Sequence, residues 1–253
     1  MDQELFEEAE AKFIAREIIL SRLKIQGVHL DQTLFHTSQL QKTLEHIEAL
    51  ESTWSYSPLD ETQTYGRKVK GEPLRLWSLP NMSARVLSYL VLYTSSRTIL
   101  EIGTSVGYST LHIAEAAERT GSHVYTLENF SLKCDLARRH FEQAGLEKTI
   151  TLLEGDAHTT LDTWSLPLDF VFLDADKEHY GAYFDLLLPH LHVGSLLVAD
   201  NINDYGHLMV DFLQKVCGSH FPGSRVYSGL RSTYVAQLDN GLLITKVGEQ
   251  DES

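Results

Sequence analysis

The pattern of apolar and polar positions changes near residue 80. Before that point, apolar residues recur at helical spacing over residues 1–50, apart from a break at Gly27, and this predicts helices. Residues 52–80 hold three of the six prolines together with Gly66 and Gly71, which predicts a connecting segment with little regular structure. From residue 82 onward, short apolar runs alternate with amphipathic stretches, and this predicts strands that alternate with helices.

We expect strands at residues 98–103, 123–128, 150–154, 168–174, 195–200, 225–228 and 242–247. We expect helices between them at residues 85–93, 109–119, 132–144, 179–192 and 204–216. Such alternation favours an α/β fold, a Rossmann-like, doubly wound, mostly parallel seven-stranded sheet with helices on both faces. The predicted organisation is an N-terminal helical extension with a lid or linker, a catalytic domain and a disordered tail, at residues 1–78, 79–248 and 249–253.

Composition and charge exclude several other classes of protein. A formal net charge of −14 argues against a dedicated nucleic-acid binder, which needs a basic surface. No apolar run approaches the roughly 20 residues that a membrane span requires. The acidic first residues predict neither a secretory signal nor a transit peptide. Cys134 and Cys217 form no CxxC motif, so we expect a reducing, cytoplasmic location.

Each of the first five predicted strands delivers a carboxylate at or just beyond its C-terminal end. These residues are Glu101, Glu128, Asp156, Asp174 and Asp200. A carboxylate next to a buried strand is costly, and ligands of open α/β sheets bind at the carboxyl ends of the strands. The repetition at five equivalent places therefore predicts a functional site along this edge.

The loop after the first strand, GTSVG, allows two interpretations. Ser105 excludes the dinucleotide fingerprint GxGxxG, but it matches the GxSxG nucleophile elbow of α/β hydrolases, with His207 or His220 as the base. Alternatively, the loop binds a nucleoside, because Gly103 allows a close backbone approach and Glu128 can accept both ribose hydroxyls. The residues of the loop leave both interpretations open.

Five motifs together extend the second interpretation: EIGTSVGYST, TLEN, EGDA, FLDADKEHY and VADN. They resemble the class I S-adenosylmethionine-dependent methyltransferases. More narrowly, they resemble the cation-dependent O-methyltransferases typified by caffeoyl-CoA and catechol O-methyltransferases and their small bacterial relatives. The resemblance covers about residues 80–247, and DADK followed some two dozen residues later by DN is its most specific part.

The resemblance implies a role for individual residues. The methionine part of S-adenosylmethionine should contact Glu101, Gly103, Thr104 and Ser109. Glu128 should bind the ribose hydroxyls, and Asp156 and Ala157 should edge the adenine. A divalent cation should bind Asp174, Asp200 and Asn201, with Asp174 also near the methionine end of the cofactor. Lys177 should be the catalytic base.

The chemistry of these residue types agrees with that cation site. Strands four and five should be neighbours about 4.8 Å apart, so Asp174, Asp200 and Asn201 would converge. Two carboxylates and an amide are hard oxygen ligands, suited to Mg²⁺ or else to Mn²⁺ or Ca²⁺. The alternative is that they are turn-forming Asp and Asn residues, and Lys177 is then an exposed surface lysine.

The sequence therefore predicts an S-adenosylmethionine- and cation-dependent O-methyltransferase acting on a small catechol-like phenol. A homodimer is expected from the resemblance, with no nucleic-acid or membrane partner. Two alternatives are the α/β hydrolase using Ser105 and a non-catalytic homologue that keeps the cofactor pocket. Tyr205 and His207 could line the substrate mouth, and Trp54 and Trp77 could form a lid, although surface and packing roles explain them equally well.

Overall fold

In a computed structural model of the protein, the described residues are 3–18, 36–53, 76–94, 96–217, 229–236, 238 and 240–248. Their helices are α1 Gln3–Glu17, α2 Ser38–Thr53, α3 Asn81–Thr94, α4 Tyr108–Thr120, α5 Ser131–Ala144, α6 Ala157–Asp162, α7 Tyr180–Leu187, α8 Ile202–Tyr205 and α9 Val210–Val216. Their strands are β1 Thr98–Ile102, β2 His123–Glu128, β3 Ile150–Glu154, β4 Leu168–Leu173, β5 Leu191–Ala199, β6 Leu230–Val235 and β7 Leu242–Val247. None of the described helices has both the length and the apolar character needed to span a bilayer.

The seven strands form one sheet in the order β3-β2-β1-β4-β5-β7-β6. The first five strands pair in parallel, β7 runs antiparallel to β5, and β6 runs antiparallel to β7. The chain proceeds outward from β1 in one direction and resumes at β4 on its other side, so the strand order reverses there. This confirms the predicted doubly wound sheet, and it places the expected ligand crevice beside β1 and β4.

Helices cover both faces of the sheet, as predicted. One core contains the buried faces of α3, α4 and α5, and the other contains those of α6, α7 and α9. The N-terminal helices contribute to the first core through Ala11 and Ala15 of α1 and through Leu40, Leu44 and Ile47 of α2. The N-terminal helices therefore share a hydrophobic core with the sheet.

Two predicted helices differ from the observed ones, and one observed helix was not predicted. The predicted helix at residues 179–192 stops at Leu187, because Pro189 lies in a following 3₁₀ turn and β5 already begins at Leu191. The predicted helix at 204–216 is broken by a 3₁₀ turn that starts at Gly206. The short helix α6 was not predicted.

The last two strands were partly predicted. The expected strand at residues 225–228 lies outside the described residues, and the observed β6 starts at Leu230. Strand β7 has the predicted bounds. Four further predictions lie outside the described residues: the lid residue Trp54, the hydrolase base His220, most of the connecting segment and the tail.

Among the described glycines, Gly103 is the one where we expect an added side chain to reduce stability most. Its φ is 107°, and a β-carbon there would overlap the carbonyl oxygen of Asp174. We expect Gly103→Ala to lower the free energy of unfolding by about 3 kcal/mol or more, because backbone strain adds to the overlap. Gly121→Ala is the matched control: its φ is 68° but nothing lies within 4 Å, so it should cost about 1 kcal/mol. Urea unfolding measures both, and equal losses would contradict the close approach.

Candidate active site

The carboxyl ends of the central strands are joined by backbone hydrogen bonds that continue past the strands. The Gly103 N–H donates to the Leu127 carbonyl (2.9 Å), and the Asp174 N–H donates to the Ile102 carbonyl (2.9 Å). The Asp200 N–H donates in turn to the Leu173 carbonyl (3.1 Å). The residues that follow β1, β4 and β5 are therefore held side by side at one edge, as predicted.

The loop between β1 and α4 has an unusual backbone. Gly103, Ser105 and Gly107 all have positive φ, at 107°, 47° and 93°. Serine rarely adopts this conformation. The Ser105 N–H donates to Glu128 Oε2 (2.8 Å), and its hydroxyl donates to the Leu76 carbonyl. The Ser105 hydroxyl thus bonds to a main-chain oxygen, whereas a nucleophile elbow presents it to a histidine.

Glu128 lies at the end of β2 and is fixed by backbone donors. Besides the Ser105 N–H, its carboxylate accepts the N–H groups of Asn129 and Phe130, both at 3.0 Å. Three main-chain donors orient the carboxylate and leave further lone pairs for a ligand. This arrangement is compatible with the predicted contact to ribose hydroxyls.

Glu101 lies below the loop and is completely buried. Its carboxylate accepts hydrogen bonds from the hydroxyls of Ser109 (2.6 Å), Thr126 (2.6 Å) and Thr110. Burial raises the pKa of Glu101 to about 7, against the opposing effect of these donors. The Thr104 hydroxyl extends the cluster through a 2.6 Å hydrogen bond to Thr126. In this structure Glu101 therefore supports the loop from beneath, and direct contact with the cofactor stays a prediction.

Asp156 and Ala157 lie at the start of α6. The Asp156 carboxylate accepts the Thr159 N–H (2.9 Å) and so caps the helix, and this hydrogen bond lowers the pKa of Asp156. Ala157 is nearly buried. Asp156 thus has a structural role in addition to the predicted place beside the adenine.

Asp174 and Lys177 form an ion pair just beyond β4. Lys177 Nζ lies 2.7 Å from Asp174 Oδ1 and also donates to the Tyr180 hydroxyl (3.1 Å). The Tyr180 hydroxyl donates to the Leu173 carbonyl (2.9 Å), which anchors the group to the end of β4. The side chains of Asp174 and Lys177 are 18% and 14% exposed, so the pair lies in the crevice and Lys177 is no ordinary surface lysine.

Asp200 is only 1% exposed, and among the described residues its Oδ1 atom has no hydrogen-bond partner. Its Oδ2 atom accepts the Asn201 side-chain amide (3.0 Å), and Asn201 has a left-handed backbone with φ 66°. Burial, and then the charge of Asp174, raise the pKa of Asp200 to about 7. The Asn201 N–H, the charge of Lys177 and a hydrogen bond from the Asn240 side chain lower this pKa, but they do not offset the effect of burial.

These residues fit a divalent cation in their chemistry. Within the described part of the chain, no group of three or more His, Cys, Asp and Glu side chains is arranged to hold a metal. The predicted set consists of only two carboxylates and an amide, Asp174, Asp200 and Asn201. The buried, unpartnered oxygen of Asp200 and its repulsion with Asp174 are the features that a bound cation would relieve.

Two further residues lie near the crevice, and no sequence pattern pointed to the first of them. Lys133, in the first turn of α5, is 7% exposed, and its Nζ lies 4.9 Å from the centroid of the Trp77 ring. Trp77 was predicted only as one possible lid residue. Tyr205 and His207 follow the Asn201 turn and are exposed, and their contact with a substrate stays a prediction.

A family model described as O-methyltransferase matches residues 61–215. A catechol O-methyltransferase of Niastella koreensis is 34% identical over 127 residues, 49% of this chain and 57% of the relative. A catechol O-methyltransferase of Mycobacterium tuberculosis is 35% identical over 117 residues, 46% of this chain and 53% of the relative. The matched part thus spans little more than half the length of these two relatives. The crystal structure of an O-methyltransferase from Bacillus cereus in complex with SAH superposes with a TM-score of 0.60 at 23% identity, covering 93% of this chain and 97% of the other.

The buried Glu101 should make stability depend on pH in a defined direction. Below pH 4.5 both folded and unfolded states hold its proton; between about 4.5 and 7 only the folded state keeps it, so stability falls as pH rises through this window. Glu101→Gln removes this titration. Relative to the wild type, the variant should therefore gain about 2 to 3 kcal/mol between pH 5 and pH 8. Urea unfolding across that range measures the difference, and parallel curves for the two proteins would show that Glu101 titrates normally.

Proposed function

Because this chain belongs to the O-methyltransferase family, we propose that it transfers a methyl group from S-adenosylmethionine to a hydroxyl of a small catechol-like aromatic, with the help of a divalent cation. The observation that carries the proposal is the cluster beyond β4 and β5. There an Asp174–Lys177 ion pair adjoins the buried, incompletely compensated carboxylate of Asp200. The loop fixed by Glu128 lies at the same edge of the sheet.

The cofactor assignment is supported by the shape of the loop and by the location of its carboxylates. Positive φ at Gly103 and Gly107 lets the backbone turn beneath a ligand without a β-carbon in the way. Glu128 lies beside this turn, with orientation fixed by three N–H donors. An acid in this place of an open α/β sheet suits the two hydroxyls of a ribose.

Asp174, Asp200 and Asn201 would hold the cation. Bound there, it would lower the pKa of a coordinated hydroxyl and so make a phenol a better nucleophile. Asn201 contributes because its left-handed backbone brings its amide beside Asp200. The resulting donor set is all oxygen, which favours Mg²⁺ over softer metals.

Lys177 is placed to accept the proton that the hydroxyl loses. It must first be uncharged; taking the proton makes it an ammonium, which Asp174 stabilises through the 2.7 Å contact. The Tyr180 hydroxyl restricts the amine further, at 3.1 Å. The chain thus supplies a base and restricts its motion. Alignment of the methyl group with the attacking oxygen contributes further to the rate enhancement.

The catechol-like substrate is inferred from the relatives. Two of them are named catechol O-methyltransferases, and a caffeoyl-CoA O-methyltransferase of Populus kitakamiensis is 27% identical over 187 residues, 72% of this chain and 74% of the relative. A cation that chelates two adjacent hydroxyls explains why vicinal diols would be preferred. Homodimerisation and a cytoplasmic location stay predictions. Family membership and the bond from Ser105 to Leu76 leave no support for the α/β-hydrolase interpretation.

Methyl transfer to a panel of catechols, with labelled S-adenosylmethionine, tests the proposal directly. We expect turnover with Mg²⁺, loss of turnover with excess EDTA and recovery when Mg²⁺ is restored. Full activity in metal-free buffer would contradict the cation and leave the transfer reaction standing. Binding of the cofactor without turnover on any phenol would instead favour a non-catalytic homologue.

Lys177→Ala separates the base from the cation site. We expect kcat to fall about 10²- to 10⁴-fold, the usual contribution of a general base, with cofactor and Mg²⁺ binding retained. Lys215→Ala is the matched control, since Lys215 is also a partly buried, ion-paired lysine, 2.6 Å from Asp211 on α9. Steady-state kinetics and calorimetry on both variants give the answer. A wild-type kcat for Lys177→Ala, on a substrate whose chemistry limits the rate, would remove Lys177 from proton transfer.

A further inference from the structure

Lys133 is a cation enclosed at the edge of the crevice. It lies in the first turn of α5, directly after the Glu128 turn, and only 7% of the residue is exposed. Lysine is rarely buried to this degree unless its charge is compensated. The ring of Trp77 covers the ammonium at 4.9 Å, a distance at which a cation and an aromatic face attract each other.

The charges of three carboxylates act on this ammonium. Burial lowers the pKa of Lys133, and the negative charges of Glu128, Asp174 and Glu51 act in the opposite direction. Glu128 ends β2, and Asp174 follows β4. These two carboxylates lie at the ribose and methionine ends of the proposed cofactor site. Lys133 also follows the Glu128 turn directly and lies under Trp77, so it is next to the proposed cofactor site.

The segment that carries Trp77 is attached to the same pocket. The Leu76 carbonyl accepts the Ser105 hydroxyl of the cofactor loop, and the Ser78 N–H donates to Glu51 Oε1 (3.1 Å). Leu76 and Leu79 are buried on either side. Trp77 itself has a left-handed backbone (φ 51°), a costly conformation for a tryptophan that its neighbours must maintain. Trp77 is therefore held over Lys133 by contacts on both flanks.

We propose that Lys133 is a specificity-determining residue that sets the relative affinity of the pocket for S-adenosylmethionine and S-adenosylhomocysteine. Before the cofactor binds, its ammonium compensates Glu128 and Asp174. The sulfonium of S-adenosylmethionine brings a second positive charge to the same carboxylates, whereas the thioether of the product brings none. This inference rests on the proposed function, since it assumes that the pocket takes these two nucleosides.

The two ligands are suited to isolate this effect. They differ by one methyl group and one positive charge, so most contacts with the pocket cancel in the ratio of their dissociation constants. A unit charge about 10 Å away, at an effective dielectric constant of about 20, changes an affinity roughly tenfold. Removal of the Lys133 charge should therefore change the ratio by about that factor, in favour of S-adenosylmethionine.

Calorimetric titration of Lys133→Met with each nucleoside is the experiment. We expect the dissociation constant of S-adenosylmethionine, divided by that of S-adenosylhomocysteine, to fall about tenfold relative to the wild type. Lys133→Arg keeps the charge and should keep the wild-type ratio. Lys148→Met removes an equal charge from an exposed position beyond α5 and should also leave the ratio unchanged.

The outcomes separate this inference from the proposed function. If the wild type binds neither nucleoside, the proposed function is wrong and the inference falls with it. If it binds both, and folded Lys133→Met keeps the ratio or shifts it toward the product, Lys133 does not discriminate and the inference alone is overturned. Lys133→Gln, which is polar and uncharged, supplies the same test should Lys133→Met fail to fold, with folding checked by circular dichroism.

Discussion

Negative charge concentrated at the carboxyl edge of the sheet is the constraint on which the rest of this structure depends. Parallel strands place their C-terminal ends together, and here each of the first five strands ends in or near a carboxylate. The chain compensates each one differently. Hydroxyls donate hydrogen bonds to Glu101, whose pKa is also raised, and backbone N–H groups donate to Glu128. Asp156 caps the start of α6, and Lys177 forms an ion pair with Asp174. Asp200 is the member left with a buried oxygen that lacks a partner among the described residues.

This unequal compensation separates supporting residues from reacting ones. Glu101 is completely buried and accepts three hydroxyl donors, so it supports the residues of the loop above it. Asp174 and Asp200 repel each other, and the partners near them, among them Lys177, Asn201 and Asn240, leave the pKa of Asp200 raised. Because removing a buried charge from water without a partner is expensive, such a pair favours the arrival of positive charge. The carboxylates whose charges are compensated least, Asp174 and Asp200, are therefore the ones proposed to bind the cation.

The sequence predicted those parts of the site that follow from strand order and residue type. Glu128, Asp174 and Asp200 were identified because acids that end buried parallel strands must meet at one edge. The burial of Glu101 could not be predicted in the same way, since it depends on which face of β1 the side chain takes and on hydroxyls from α4 and β2. No local sequence pattern predicts that Lys133 and Trp77 meet. Their contact depends on how the segment before α3 crosses the loop, and only tertiary packing determines that path. The helix predicted to reach residue 192 was wrong because apolar periodicity continued past Pro189, where the backbone could not.

Polar contacts also connect the N-terminal helix α2 with the site. His36 and Glu115 form a nearly buried pair (2.8 Å) between the start of α2 and α4, and the Tyr108 hydroxyl donates to Glu48 on α2 (2.6 Å). Tyr108 is the first residue of α4, next to the Ser109 hydroxyl that binds Glu101. The contacts of α2 therefore fix the helix whose first turn orients the buried acid beneath the cofactor loop. Removing the N-terminal helices would expose apolar surface of the shared core and also leave this first turn without one of its anchors, so their role extends to the geometry of the loop itself.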